Sequence, residues 1–312
     1  RDLVRSRGLG DVYKRQAVTR GIIFTLFFIT LFMLDRDLHA QEEEPDEIES
    51  LETVEIEDVT SEWWQNERAY AVLDRAINVM TARTMRMNSF IIIIDHRFRQ
   101  PVSEEPFHDL LGFDAGGLKV GLGLRYGIYY NLDAGIYRLN GTGEAFDVYE
   151  FDAKYRPLRQ EKHAFDLALR AGVTWFSQQD LEDATGFFGQ LLMNRLFAHR
   201  LNIGSGLLYH SESSNEVKST EDDDFSVAIP AYVEFRISGR FMVNVEAVHS
   251  IAGYGSSRPV FSTGIKILTN RHTFAIMVTN TRYISADGIV ANSPNGLDDL
   301  ALGFYITREL NL

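Results

Sequence analysis

The sequence predicts an all-β protein: an antiparallel, up-and-down transmembrane β-barrel of about 12 strands behind a disordered acidic N-terminal arm. Three observations carry this. From Asn88 onward, apolar and polar residues alternate with period 2, as strands with one apolar face require. Turn signals recur about every ten residues. The connections sort by length, short on one side and mostly longer on the other, as outer-membrane barrels are built.

The chain has 312 residues, no cysteine and a formal charge of −13. Without cysteine there are no disulfides, thiolate metal sites or thiol nucleophile. The negative balance argues against a nucleic-acid partner, which needs basic surface to neutralise phosphates. The mean hydropathy of −0.15 is too low for a helical membrane protein but suits alternating strands.

Residues 1–16 resemble translated sequencing adapter and are set aside from the fold. Residues 17–40 read as a signal peptide: Arg20 precedes the apolar run Gly21 to Leu34, with cleavage expected after Ala40. Fourteen helical residues cover ~21 Å, short of the ~30 Å hydrocarbon core, which disfavours a spanning helix. The chain is therefore expected to be exported.

Residues 41–87 read as a periplasmic arm. Gln41 to Glu62 holds eleven Asp or Glu and no Lys or Arg, so it repels itself and buries little. Trp63 and Trp64 follow, and Glu67 to Met87 has Ala71, Leu73, Ala76, Ile77 and Met80 at roughly helical spacing, which predicts a short helix.

Residues 88–312 are the expected barrel. The strands fall at 89–98, 117–127, 131–139, 145–156, 164–176, 186–197, 201–211, 225–237, 241–249, 259–268, 273–281 and 299–309. Many have 9–11 residues, the length that crosses a bilayer at a ~45° tilt. The clearest alternation is Phe165, Leu167, Leu169, Ala171, Val173 and Trp175 against Asp166, Ala168, Arg170, Gly172 and Thr174. Strand 186–197 alternates poorly, and Pro230 sits mid-strand without a ladder donor. Short connections are expected at 128–130, 157–163, 198–200, 238–240 and 269–272, and mostly longer ones at 99–116, 140–144, 177–185, 212–224, 250–258 and 282–298. Aromatic residues such as Tyr155, Trp175, Tyr209, Phe241 and Phe274 fall near strand ends, as interfacial girdles do.

Several short stretches, in order and spacing, resemble a known family. They are His96-Arg97-Phe98, Leu111-Gly112-Phe113-Asp114, Tyr126-Gly127-Ile128, His272-Thr273-Phe274 leading to Thr279-Asn280-Thr281, and Phe304 to Arg308. The sequence resembles the bacterial β-barrel proteins grouped as a domain of unknown function. The resemblance covers roughly Asn88 to Leu312 and implies an exported outer-membrane barrel with no assigned activity. The ending Asn311-Leu312 departs from the aromatic residue of a standard insertion signal.

The polar faces of the strands predict a lumen network of Arg125, Glu150, Asp152, Lys154, Asp166, Arg170, Asn202, Glu234, Arg236, Asn244 and Glu246. These are either a pore lining or binding site, or mutually paired charges plugging the barrel. A barrel of this size lies between filled 8-stranded and open 16-stranded cases, and the expectation here is a filled or narrow lumen.

No catalytic, cofactor or metal site is expected. Ser205 lies between glycines and His210 follows, but the two fall on opposite faces, out of reach for a nucleophile and its base. Glu221 to Asp224 match no EF-hand spacing and read as a solvated loop. His96 and His272 have no ligand-spaced partners, and Gly121-x-Gly123 without a following helix is not a nucleotide loop.

The expected role is non-enzymatic: a narrow channel or a binding or structural barrel. Its expected partners are outer-membrane lipid and the barrel-assembly machinery. The alternatives are a lipid-modifying enzyme on a 12-stranded barrel and a soluble periplasmic β-sandwich.

Overall fold

The computed structural model describes residues 75–103, 119–140, 147–177, 183–213, 224–255, 258–269 and 271–311. The expected adapter, signal peptide, acidic arm and Trp63-Trp64 lie outside the described residues. So do Leu111 to Asp114, Glu221 to Asp223 and the first part of the expected helix.

Twelve strands form a single closed sheet. They are β1 (Ser89–Pro101), β2 (Lys119–Tyr129), β3 (Leu132–Leu139), β4 (Asp147–Leu158), β5 (Asp166–Ser177), β6 (Ala184–Phe197), β7 (Leu201–His210), β8 (Ser226–Arg236), β9 (Phe241–Gly253), β10 (Val260–Leu268), β11 (His272–Thr279) and β12 (Ala301–Asn311). Each strand pairs antiparallel with its sequence neighbours, and β1 closes on β12 from Ser89↔Asn311 to Arg97↔Gly303. Closure leaves no free edge, which in hydrocarbon would expose backbone groups at several kcal/mol each.

The alternation places the side chains. On β5, Asp166, Ala168, Arg170, Thr174 and Phe176 are buried inside, while Leu169 and Trp175 are exposed outside. The same inversion holds around the barrel: Leu124, Ile136, Phe151, Val245, Ile265 and Ile276 face out, and Asp95, Lys154, Glu234 and Lys266 are fully enclosed. An apolar exterior around a charged interior is the reverse of a soluble sandwich, and one closed sheet replaces the two stacked sheets that alternative required.

Aromatic contacts mark both ends of the outer face. Tyr149 and Trp175 stack at 5.0 Å near the long-loop end, and Tyr129 and Tyr130 meet edge-on at 5.3 Å at the opposite turn. His96 stacks on Phe304 at 4.9 Å and touches Phe98 at 4.7 Å, a structural interfacial cluster.

Short turns link β2–β3, β6–β7, β8–β9 and β10–β11, at the end where both β1 begins and β12 finishes. The long connections are 102–118, 211–225 and 280–300, at the other end. Sorting is imperfect: 140–146, 178–183 and 254–259 are no longer than 159–165 across the barrel. Pro230 sits in β8 as expected, and the β7–β8 pairing runs from Ser205↔Ala231 to Leu208↔Ala228, passing over it. The Ser205 hydroxyl donates instead to the Pro230 carbonyl at 2.8 Å.

Two features correct the sequence reading. Residues 75–87 are not helical and do not lie outside the barrel; they run through its interior. The apolar residues at that spacing pack on two patches of the wall instead, Ala76 and Met80 on one and Ile77 against Ala275, Met277 and Tyr305 on another. Within the last connection lies a short helix, α1 (Ala286–Val290), with all five residues buried, which no strand-like pattern announced.

Candidate functional site

The candidate site is the lumen. Its wall has an apolar stretch of Ala168, Leu192, Leu208, Ala228, Tyr232, Val248 and Val260. Ala76, Val79 and Ala82 of the interior segment pack there with Ile289 and Val290 of α1. Elsewhere the wall has smaller apolar patches, such as Ile91, Ile93, Leu139, Val148 and Phe176, and a large set of charges, and burial demands that those charges be paired.

The interior segment is held mainly through its backbone. Arg75 and Met80 form an antiparallel bridge, and the Ala76 amide donates to the Val79 carbonyl at 2.8 Å, making a tight hairpin tip. Glu246 of β9 receives that tip. Its Oε2 accepts the amides of Ile77, Asn78 and Val79 at 3.0, 3.0 and 2.9 Å, and its Oε1 accepts the Asn78 side-chain amide at 3.0 Å. Further along, Asn194 accepts the Ala82 amide and Asp133 accepts the Met85 amide, each at 2.8 Å. Donors from the wall meet the segment's carbonyls: Lys266 to Arg75 at 2.9 Å, Asn244 to Ala76 at 3.2 Å and Lys154 to Thr81 at 3.4 Å.

Two arginines of the segment complete wall pairs. Arg75 donates to Asp95 at 2.6 Å, and Tyr137 donates to the same oxygen at 2.8 Å. Tyr137 has room because Gly121 lies beneath it, where an added Cβ would fall 1.8 Å from the hydroxyl oxygen. Gly121 thus serves packing. Arg83 pairs with Asp166 at 3.4 Å, alongside Arg156 of β4.

A second group links the charged wall to the loop. Arg125 donates to Asp133 at 2.5 Å and to Asp152 at 2.7 Å. Arg170 donates to Asp152 at 2.8 Å, to Glu150 at 3.2 Å and to Gln190 at 3.2 Å. Gly135 lets Arg125 cross the wall: a Cβ there would lie 2.7 Å from the guanidinium. The amide of Ala286, at the start of α1, donates to Glu150. Between the segment, α1 and the wall there remains a cavity of about 30 Å³, lined by Arg75, Asn78, Arg125, Glu150, Arg170 and Ile284 among others.

All eleven residues named from sequence are buried. The structure brings Arg125, Glu150, Asp152 and Arg170 into one cluster. Asn202 donates to Glu234 at 2.7 Å, and Lys266 donates to Glu234 at 2.5 Å, forming a second. Lys154, Asp166, Asn244 and Glu246 meet the interior segment, and Arg236 donates to the Gly239 carbonyl at 3.3 Å near a turn. Sequence reasoning passed over Asp95, Arg97, Asp133, Arg156, Asn194 and Lys266, although strand parity would have placed each inside. It passed over Arg75, Asn78 and Arg83 because no pattern assigned their segment to the lumen.

Ser205 and His210 stay apart. Ser205 is bonded to the backbone at Pro230, while His210 points inward, 2.9 Å from the Thr174 hydroxyl. Its Nδ1 accepts the Glu212 amide at 3.0 Å, so neutral His210 carries its proton on Nε2 and donates to Thr174. Among the described residues, no group of three His, Asp or Glu has the arrangement of a metal site.

No curated protein matches the chain. Among solved structures, it is similar to the NanC porin, at 11% identity and a TM-score of 0.45, over 72% of this chain and 100% of that one. It is similar to an outer membrane channel from Pseudomonas putida F1, at 10% identity and a TM-score of 0.43, over 73% and 97% of the two chains. A third is the outer membrane channel DcaP of Acinetobacter baumannii, at 10% identity and a TM-score of 0.33, over 71% and 96%. The family model described as a membrane bound beta barrel domain, DUF5777, matches residues 74–310, most of the chain. With the closed sheet, the apolar exterior and this match, the chain belongs to that family of membrane-bound β-barrels.

Proposed function

We propose that this protein is a non-enzymatic outer-membrane barrel, a narrow channel held shut at rest by residues 75–87 and the loop at 280–300. The observation that carries this is the filling of the lumen by chain segments. Among the described residues, the cavity between the segment, α1 and the wall holds about 30 Å³, room for about two waters. A wall of this strand number lies between barrels that side chains fill and barrels that stay open. Here a backbone segment does the filling, held by hydrogen bonds that can exchange for water, so the obstruction is separable from the barrel.

The chemistry of the site supports positioning and not reaction. Its charges are committed to one another or to backbone amides, and Ser205 and His210 face different environments. Outer-membrane lipid is the solvent of the exterior, and the barrel-assembly machinery is the insertion partner this class of exterior calls for. The test is conductance of the full chain in planar bilayers. The expected trace is closed, with brief and rare openings. A steady open current in the unmodified protein would overturn the reading.

A further inference from the structure

The two obstructions are joined by one line of ion pairs. The amide of Ala286 on α1 donates to Oε1 of Glu150. Arg170 bridges the other oxygen of Glu150, at 3.2 Å, to Asp152, at 2.8 Å. Arg125 bridges Asp152, at 2.7 Å, to Asp133, at 2.5 Å. The second oxygen of Asp133 accepts the amide of Met85 at 2.8 Å. Glu150 lies near the long-loop end of β4, and Asp133 lies beside the short turn that opens β3. The line therefore crosses most of the lumen, from the loop to the interior segment.

Each guanidinium in this line is shared between carboxylates, and each end carboxylate divides its oxygens between an arginine and a backbone amide. Removing one partner leaves a buried charge under-compensated, and its neighbours must shift to meet it. We propose that the loop and the interior segment are coupled gates: withdrawing α1 from Glu150 draws Arg170 toward Glu150 and away from Asp152, draws Arg125 toward Asp152 and away from Asp133, and leaves Asp133 to hold Met85 more tightly. This regulation rests on the reading of residues 75–87 as the plug.

A clean perturbation exists at Ala286. It is the first residue of α1, and Ser285 before it is extended, with φ −76° and ψ 158°. Proline is tolerated at a first helical position and favours an extended predecessor. Ala286→Pro therefore removes one donor and leaves the backbone path intact. The chain has no cysteine, so a single introduced thiol reports one site. With Val79→Cys in the hairpin tip, the reaction rate with a water-soluble maleimide is measured on the full chain folded in detergent, folding being checked by heat-dependent gel mobility.

The expected result is labelling of position 79 up to about tenfold slower when Ala286→Pro is added, the scale of one hydrogen bond to a charged acceptor. Glu150→Gln, which removes the charge facing Arg170, frees Arg170 for Asp152 and Arg125 for Asp133, and is expected to speed labelling by a similar factor. An unchanged rate at position 79 in both variants overturns the coupling, and a thiol at Ile289 that gains reactivity in the same variants would locate the failure in the line itself. If position 79 in the otherwise unmodified protein reacts as fast as in urea, the plug reading falls and the coupling with it.

Discussion

Glu246→Gln is the sharpest single perturbation of the plug. The carboxylate takes three consecutive backbone amides on one oxygen and the Asn78 side chain on the other. A glutamine fits the same volume and keeps one carbonyl oxygen. If that oxygen turns to the three amides, its NH₂ faces the Asn78 amide, donor against donor. Three bonds then fall from charge-assisted to neutral strength and one is lost. Bonds to charged groups are worth ~1.5–3 kcal/mol and neutral ones ~0.5–1.5. Relaxation and water entry offset part of the difference, leaving a cost of about 2–4 kcal/mol to the closed state. At ~1.4 kcal/mol per factor of ten, the open population rises between about thirtyfold and a thousandfold. The assay is opening frequency in planar bilayers, with heat-dependent mobility confirming that the barrel itself is folded. An opening frequency equal to that of the unmodified chain would refute the reasoning.

Further predictions concern the wall and the exterior. Ile265 is exposed near the middle of β10, so Ile265→Lys is expected to cost ~2–4 kcal/mol of folding free energy in lipid vesicles, measured by denaturant titration. An unchanged midpoint would place that face outside the hydrocarbon. Gly121→Ala drives a methyl group into the Tyr137 ring and is expected to destabilise the barrel by ~1–3 kcal/mol, read as a lowered unfolding midpoint. Asp166→Asn leaves Arg83 and Arg156 without their shared charge and is expected to loosen the interior segment, read as faster proteolysis between residues 75 and 87.

Much of the barrel was legible because strand parity and wall burial are the same fact. Asp166 and Arg170 alternate with Leu167 and Leu169, and a closed sheet turns that alternation directly into inside and outside. The twelve strands were readable to within a few residues for the same reason. The plug was not legible, because its anchors are backbone amides. Glu246 holds Ile77, Asn78 and Val79 by N–H groups that any residue but proline supplies, so the side chains of the segment carry no signature of the contact. Its arginines pair with Asp95 and Asp166, strands distant in sequence, and those partners depend on the stagger of the sheet. The same holds along the wall: that Arg125 and Arg170 face inward follows from their own strands, whereas their convergence on Asp152 follows from the pairing Lys154↔Arg170 and Asp133↔Lys154 between neighbours.

The presence of residues 75–87 inside the barrel is tested most directly by amide hydrogen exchange on the unmodified chain in a lipid nanodisc. The amides of Ile77, Asn78, Val79, Ala82 and Met85 are all donors to wall side chains. A plugged lumen predicts that peptides covering them exchange slowly, with protection approaching that of the β9 and β10 strands. Exchange at the rate of a free peptide would place the segment outside the lumen and contradict the closed channel.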